Sequence, residues 1–150
     1  MGTLNDILSA AQQRARENGL SYAGCLTPSE AQQLREEVQT ARLVDVRTRP
    51  ELELVGRIPD AMHIEWAFYP DMRPNPDFLA QLSQQVDREA LVMFICRTGG
   101  RSHNAAAVAT QMGYTNCYNV LEGFEGATDA ATGQRGKING WKMAGLPWVN

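Results

Sequence analysis

Apolar residues first recur at helical spacing: Leu4, Ile7, Leu8, Ala11 and Ala15 fall on one face, with Thr3 placed to cap the start and Gly19 to end it. This predicts an amphipathic N-terminal helix. Thr27-Pro28-Ser29-Glu30 carries the next start signal. Thr caps, Pro takes the first helical position and Glu completes a capping box, so a second helix is predicted from about Pro28 to Val38. Leu43-Val44-Asp45-Val46 then reads as a short buried strand. Residues 47–77 read as irregular, broken by Pro50, Pro59, Pro70, Pro74 and Pro76, with Met62-His63-Ile64 as a brief strand. Asn75-Pro76-Asp77 opens a helix that turns Phe78, Leu79, Leu82 and Val86 inward. Leu91 to Ile95 is an unbroken apolar run, the pattern of a parallel strand covered on both faces. A helix is predicted from about Ser102 to Met112, stopped by Gly113, and a strand from about Cys117 to Val120. Gly123, Gly126, Gly133, Gly136, Gly140 and Gly145 mark a long folded-back loop with a short helical turn around Trp141. Strands alternating with helices make an α/β domain with a mostly parallel sheet.

Composition narrows the classes of function. The 150 residues suffice for one domain, and 43% hydrophobic with 21% charged residues is a globular balance. Fourteen Lys and Arg against seventeen Asp and Glu give a net charge of −3, which argues against a nucleic-acid-binding face. No apolar run approaches the length of a membrane span, and the polar residues Asn5, Asp6, Gln12, Gln13, Arg14 and Arg16 interrupt any signal-peptide core. The expected location is the cytoplasm. Cys25, Cys96 and Cys117 are odd in number and lack paired spacing, and His63 and His103 are the only histidines. Neither a disulfide framework nor a zinc site is predicted, and no metal or cofactor is implied.

The chemistry concentrates in Ile95-Cys96-Arg97-Thr98-Gly99-Gly100-Arg101-Ser102, where a buried strand ends and a helix begins. The carboxyl ends of parallel strands are where ligands bind. Two successive glycines let the backbone curl with its N–H groups inward, and the helix start adds unpaired donors. Arg97 and Arg101 add positive charge. The prediction is an anion cradle with a thiol at its entrance, in which Cys96 is largely thiolate and acts as a nucleophile. Only four residues separate Cys96 from Arg101, one fewer than the C-x5-R loop of cysteine phosphatases. The smaller loop suits a single sulfur atom on Cys96 better than a phosphoryl group.

At this point the chain resembles the single-domain rhodaneses, sulfurtransferases of the thiosulfate type. The resemblance rests on Cys96-Arg97-Thr98-Gly99-Gly100-Arg101-Ser102, on Asp45-Val46-Arg47 with Glu51, Gly56, Ile58-Pro59, Ala61 and His63-Ile64, and on Gly113-Tyr114, Tyr118-Asn119-Val120, Leu121-Glu122-Gly123-Phe124 and Gly145-Leu146-Pro147. It is firm over residues 43–126 and looser from Thr27. It implies residues 25–150 as a rhodanese-like domain with residues 1–24 as a helical extension, and a central sheet of about five parallel strands with helices on both faces. It also implies that Cys96 takes a sulfane sulfur from a small anionic donor and passes it, as a persulfide, to a thiophilic acceptor, with a protein acceptor also open. Loop N–H groups from Arg97 to Arg101 would hold the persulfide, and Cys96 is the catalytic residue with Arg97, Thr98, Gly99, Gly100, Arg101 and Ser102 binding substrate. Arg57 and Asp60 depart from the family pattern, which usually has His and Gly there. A persulfide carrier or regulatory binding module is the second reading, and a cysteine phosphatase or arsenate reductase the third.

Other residues carry two readings each. Arg47 either reaches the pocket or, the favoured reading, pairs with Asp45 or Glu51 to hold the following loop. His103 either donates a proton or is an ordinary helix-start histidine. Cys25 and Cys117 are expected as packed residues, with a resolving role as the alternative. Trp66, Phe68 and Tyr69 either line the pocket mouth or pack beneath their loop. Residues 126–140 are long enough to be a lid, a dimer contact or a plain insertion, and Arg135 and Lys137 would add charge if that loop folded over the pocket.

Overall fold

The computed structural model describes residues 3–135 and 138–150. Among the described residues, five helices and seven strands follow in order: α1 Leu4–Glu17, β1 Gly24–Leu26, α2 Pro28–Glu37, β2 Arg42–Asp45, α3 Arg49–Val55, β3 Met62–His63, β4 Ala67–Phe68, β5 Arg73–Pro74, α4 Phe78–Gln85, β6 Val92–Ile95, α5 Gly100–Gln111 and β7 Cys117–Val120. The main sheet is parallel throughout in the order β1-β7-β6-β2-β3, while β4 and β5 pair separately as a small antiparallel ribbon.

The predicted capping signals act as the chemistry requires. Thr27 and Glu30 exchange side-chain and backbone hydrogen bonds at the start of α2, and Thr3 does the same with Asp6 at α1. The alternation along β6 sorts the core into two halves. Val92 and Phe94 join a cluster with Phe78 and Leu82 of α4 and with Ala105, Ala106 and Ala109 of α5. Met93 and Ile95 face the other way, toward Ile7 and Ala11 of α1, Ala31 and Leu34 of α2, and Phe124 and Trp141 from the C-terminal loop. The period of two carries Cys96, the residue after β6, onto the α4/α5 face.

Besides the β4–β5 ribbon, which also lies in the stretch read as irregular, three elements differ from the sequence expectation. The first is α3, which occupies part of the stretch read as irregular. Pro50 there is not a breaker, because in the first helical turn its missing N–H has no partner to lose. Thr48 and Glu51 form the capping box that starts this helix. The second is β1, an unpredicted edge strand of three residues that α1 covers. A Cβ on Gly24 would lie 2.8 Å from the Ala11 carbonyl carbon, so only glycine permits this approach. The third is α5, which begins at Gly100 rather than near Ser102, because Gly99 turns left-handed at φ 110° and itself becomes the N-cap.

The first 24 residues hold α1, which buries Ile7, Ala11 and Ala15, and Arg14 reaches across to the Glu30 carboxylate at 2.7 Å. Asp60, where the family pattern has Gly, takes a left-handed φ of 65°, a conformation Asp tolerates better than most residues. Arg57 pairs through its backbone with Val149. A single turn forms at Trp141, closed by the Ala144 N–H donating to the Gly140 carbonyl. No helix among the described residues is long and apolar enough to cross a membrane.

Candidate active site

The loop from Cys96 to Gly99 joins the central strand to α5 at the carboxyl edge of the sheet. Cys96 is only 1% exposed. Its Sγ accepts a hydrogen bond from the Gly99 N–H at 3.1 Å and lies 3.3 Å from the Ser102 hydroxyl. The Gly99 N–H, with the first turn of α5, places positive dipole ends around the sulfur, so charge that forms there is stabilised without rearrangement. Ser102 is fully buried and donates to Asn119 Oδ1 at 2.6 Å, tying the cysteine to β7. Arg97, Thr98 and Gly100 are exposed on the loop crown, while Gly99 is half-buried.

A second segment clamps this loop from behind. Phe124 N–H donates to the Cys96 carbonyl at 2.8 Å and Glu125 N–H to the Arg97 carbonyl at 3.0 Å. The clamp depends on Gly123, whose φ is +69° and whose absent Cβ would sit 2.6 Å from the Arg97 carbonyl carbon and 2.7 Å from the Cys96 oxygen. Trp141 N–H closes the arrangement by donating to the Gly123 carbonyl. Gly123 and Phe124 belonged to the sequence motif, but their pattern gave no sign that they bind the back of the cysteine loop.

The two loop arginines were expected to attract an anionic donor, and each has a carboxylate partner. Arg101 makes a two-pronged pair with Glu51, at 2.7 and 2.8 Å. Burial opposes charge on both groups, but the pairing outweighs it and Thr48 adds hydrogen bonds to the carboxylate. Glu51 is thus held down at about 2, and Arg101 above its ordinary value. Arg97, nearly half exposed, lies 3.1 Å from Glu125. Glu51 was expected only as one of two partners open to Arg47, and its pairing with Arg101 became visible only when α3 placed it opposite α5.

The pairs line a pocket of about 460 Å³ with Thr48, Val55, Tyr69, Pro70 and Met72. Tyr69 is therefore at the mouth, whereas Trp66 packs edge-on against Phe78 at 5.0 Å, so the aromatic loop divides between the two readings. A separate cavity of about 350 Å³ runs from Asp45 and Arg49 to His63 and includes none of the loop residues.

The remaining candidates take structural places. Arg47 is fully buried, pairs with Asp45 at 2.7 Å, donates to the Gly56 carbonyl and stacks over Phe124 at 4.1 Å. Its role is to support the clamp from below. His103 Nδ1 shares a 2.7 Å hydrogen bond with the Tyr22 hydroxyl. Cys25 and Cys117 are buried free thiols that burial pushes up, Cys117 to about 11. Arg135 donates to the Gly126 carbonyl within its own loop, and Lys137, like Gly136, lies outside the described residues.

Residues 27–130 match the Rhodanese-like domain family. The uncharacterized protein RP600 homolog of Rickettsia rickettsii is 39% identical over 114 residues, covering 72% of this chain and 82% of the relative. The thiosulfate sulfurtransferase GlpE of Pseudomonas aeruginosa is 34% identical over 100 residues, covering 67% and 79%. Among solved structures, that of Rv0390 from M. tuberculosis superposes with a TM-score of 0.78 at 43% identity, over 85% of this chain and 98% of that one.

Proposed function

The chain belongs to the rhodanese-like domain family, and from that premise we propose that it is a sulfurtransferase that carries a sulfane sulfur from a thiosulfate-like donor to a thiophilic acceptor as a Cys96 persulfide. The observation that carries the reading is the Sγ of Cys96, held by the Gly99 N–H and Ser102 at the start of α5. Cys96 attacks the outer sulfur of thiosulfate, the bond to the sulfonate sulfur breaks, and sulfite leaves with its electron pair. The added sulfur carries the negative charge on Cys96, where loop N–H groups and the helix start stabilise it. An acceptor nucleophile then attacks that sulfur and restores the thiolate. The clamp at Gly123 and Phe124 keeps the loop from shifting as the extra atom arrives.

The partners of this reaction are a small anionic donor and a thiophilic acceptor, in the cytoplasm and with no metal or organic cofactor. A persulfide carrier acting on a protein partner is favoured by one observation: Tyr69 is 63% and Met72 42% exposed at the pocket mouth. The phosphatase reading gains nothing from the geometry, since Arg101 is engaged by Glu51. The test is thiocyanate formation from thiosulfate and cyanide, wild type beside Cys96→Ala. Turnover in the wild type alone supports enzymatic transfer. Persulfide formation without small-molecule turnover supports the carrier, and wild-type turnover in the mutant defeats both.

A further inference from the structure

The pocket over the cysteine loop is lined by two cations and two anions, arranged as the pairs Arg101–Glu51 and Arg97–Glu125. Its formal charge is therefore zero. Glu51 keeps its charge across the physiological range, because Arg101 and Thr48 hold the carboxyl at about 2 against the opposing effect of burial. Thiosulfate is a dianion, and the side-chain cations lining this pocket are already paired with carboxylates, which leaves only loop N–H groups to meet its charge. Each arginine that turned toward a dianion would have to share it with a carboxylate of like sign beside it.

An amino-acid donor meets these features in full. Its α-carboxylate matches an arginine, its α-ammonium matches the neighbouring glutamate, and its short side chain carries the reactive sulfur beside the loop that holds Cys96. Charge-assisted hydrogen bonds of both signs can then form without leaving either native partner unpaired. We propose, resting on the sulfurtransferase reading above, that the donor this pocket selects is a zwitterionic amino-acid persulfide, of which cysteine persulfide is the simplest. In the transfer, the Cys96 thiolate attacks the outer sulfur of R–S–SH. The S–S bond of the donor breaks, the thiolate R–S⁻ leaves with the bonding pair, and Cys96–S–SH remains, losing its proton to solvent. No oxidant or reductant enters, because the sulfane sulfur moves between two thiolates.

The experiment compares three persulfides with the same reactive sulfur and different charge: cysteine persulfide, N-acetylcysteine persulfide, which lacks the ammonium, and cysteamine persulfide, which lacks the carboxylate. Rates of sulfur loading onto Cys96 are read by rapid quench and mass spectrometry of the full chain. The expected kcat/KM for the zwitterion exceeds both single-charge analogues by roughly three- to tenfold. In Glu125→Gln, the advantage over the N-acetyl donor should fall toward unity while loading by thiosulfate rises, because Arg97 is freed. Glu51→Gln supplies the second variant, since Gln still serves the capping box of α3. Equal rates for all three donors, or variants that move zwitterion and anion in the same direction, overturn the inference and leave sulfur transfer standing. Failure of every donor to load Cys96 overturns the transfer reading itself.

Discussion

Replacing Gly123 with alanine tests whether the segment behind the cysteine loop holds the site in place. Two costs meet at this residue. Its φ of +69° is left-handed, which costs an L residue about 1–2 kcal/mol. The new Cβ would also stand 2.6–2.7 Å from backbone atoms of Cys96 and Arg97, which cannot swing aside as a side-chain tip could. Overpacking of this kind costs about 1–3 kcal/mol, so the two together amount to about 2–5 kcal/mol. For a chain of this length that corresponds to a fall in Tm of roughly 4–20 °C. Gly19 supplies the control, having a similar φ of +64° and nothing within 4 Å of its missing Cβ, so Gly19→Ala should show the conformational cost alone. Urea unfolding of both variants isolates the contact term. Sulfur loading of Cys96, measured well below the lowered Tm, then reads its effect on the site. Gly123→Ala should lose activity beyond its loss of folded protein, because relief of the overlap moves the Cys96–Arg97 backbone. Equal destabilisation in the two variants, or full activity in folded Gly123→Ala, would refute the clamp.

Asp45→Asn should destabilise the fold by about 3–5 kcal/mol, since it removes the charge partner of the fully buried Arg47; urea denaturation checks this. Ser102→Ala should lower the rate of sulfur loading about tenfold while thiosulfate KM changes little, because it removes a partner of Sγ and leaves donor binding intact. It also leaves Asn119 Oδ1 without its 2.6 Å donor. Glu51 lies below its unfolded value, so its contribution to stability is present above about 4.5 and is lost as pH falls toward about 2. Glu51→Gln should flatten the stability profile in that window and leave it unchanged near neutrality apart from a constant offset. Iodoacetamide at neutral pH should label Cys25 and Cys117 only after unfolding, because both are buried and burial holds their thiols above the ordinary range.

The parts of the fold legible in the sequence were those with strong local signals. The Thr27–Glu30 box, the apolar run of β6 and the Cys117–Val120 strand depend on neighbours within a few residues. What was not legible depended on contact at a distance. The strand at Gly24–Leu26 has almost no apolar pattern and exists because β7 pairs with it and α1 covers it. The helix at Arg49–Val55 did have a local signal in Thr48 and Glu51, hidden because Pro50 was weighed as a breaker without regard to its place in the first turn. The same division holds at the site. The strand–Gly–Gly–helix sequence located Cys96, Gly99 and Ser102 together. Neutralisation of Arg101 by Glu51, fifty residues away, could not be read from either segment, and it changes the expected donor from a free anion to a balanced one.

Every step proposed for this site requires sulfur to pass through Cys96. The direct measurement is intact-protein mass spectrometry after incubation with a sulfane donor, followed by addition of cyanide, on wild type and Cys96→Ala. The prediction is one added sulfur atom on the wild type, localised to Cys96, removed by cyanide with matching thiocyanate, and absent from the mutant. Sulfur on Cys25 or Cys117 in its place, or thiocyanate formed at the wild-type rate by Cys96→Ala, would contradict the account.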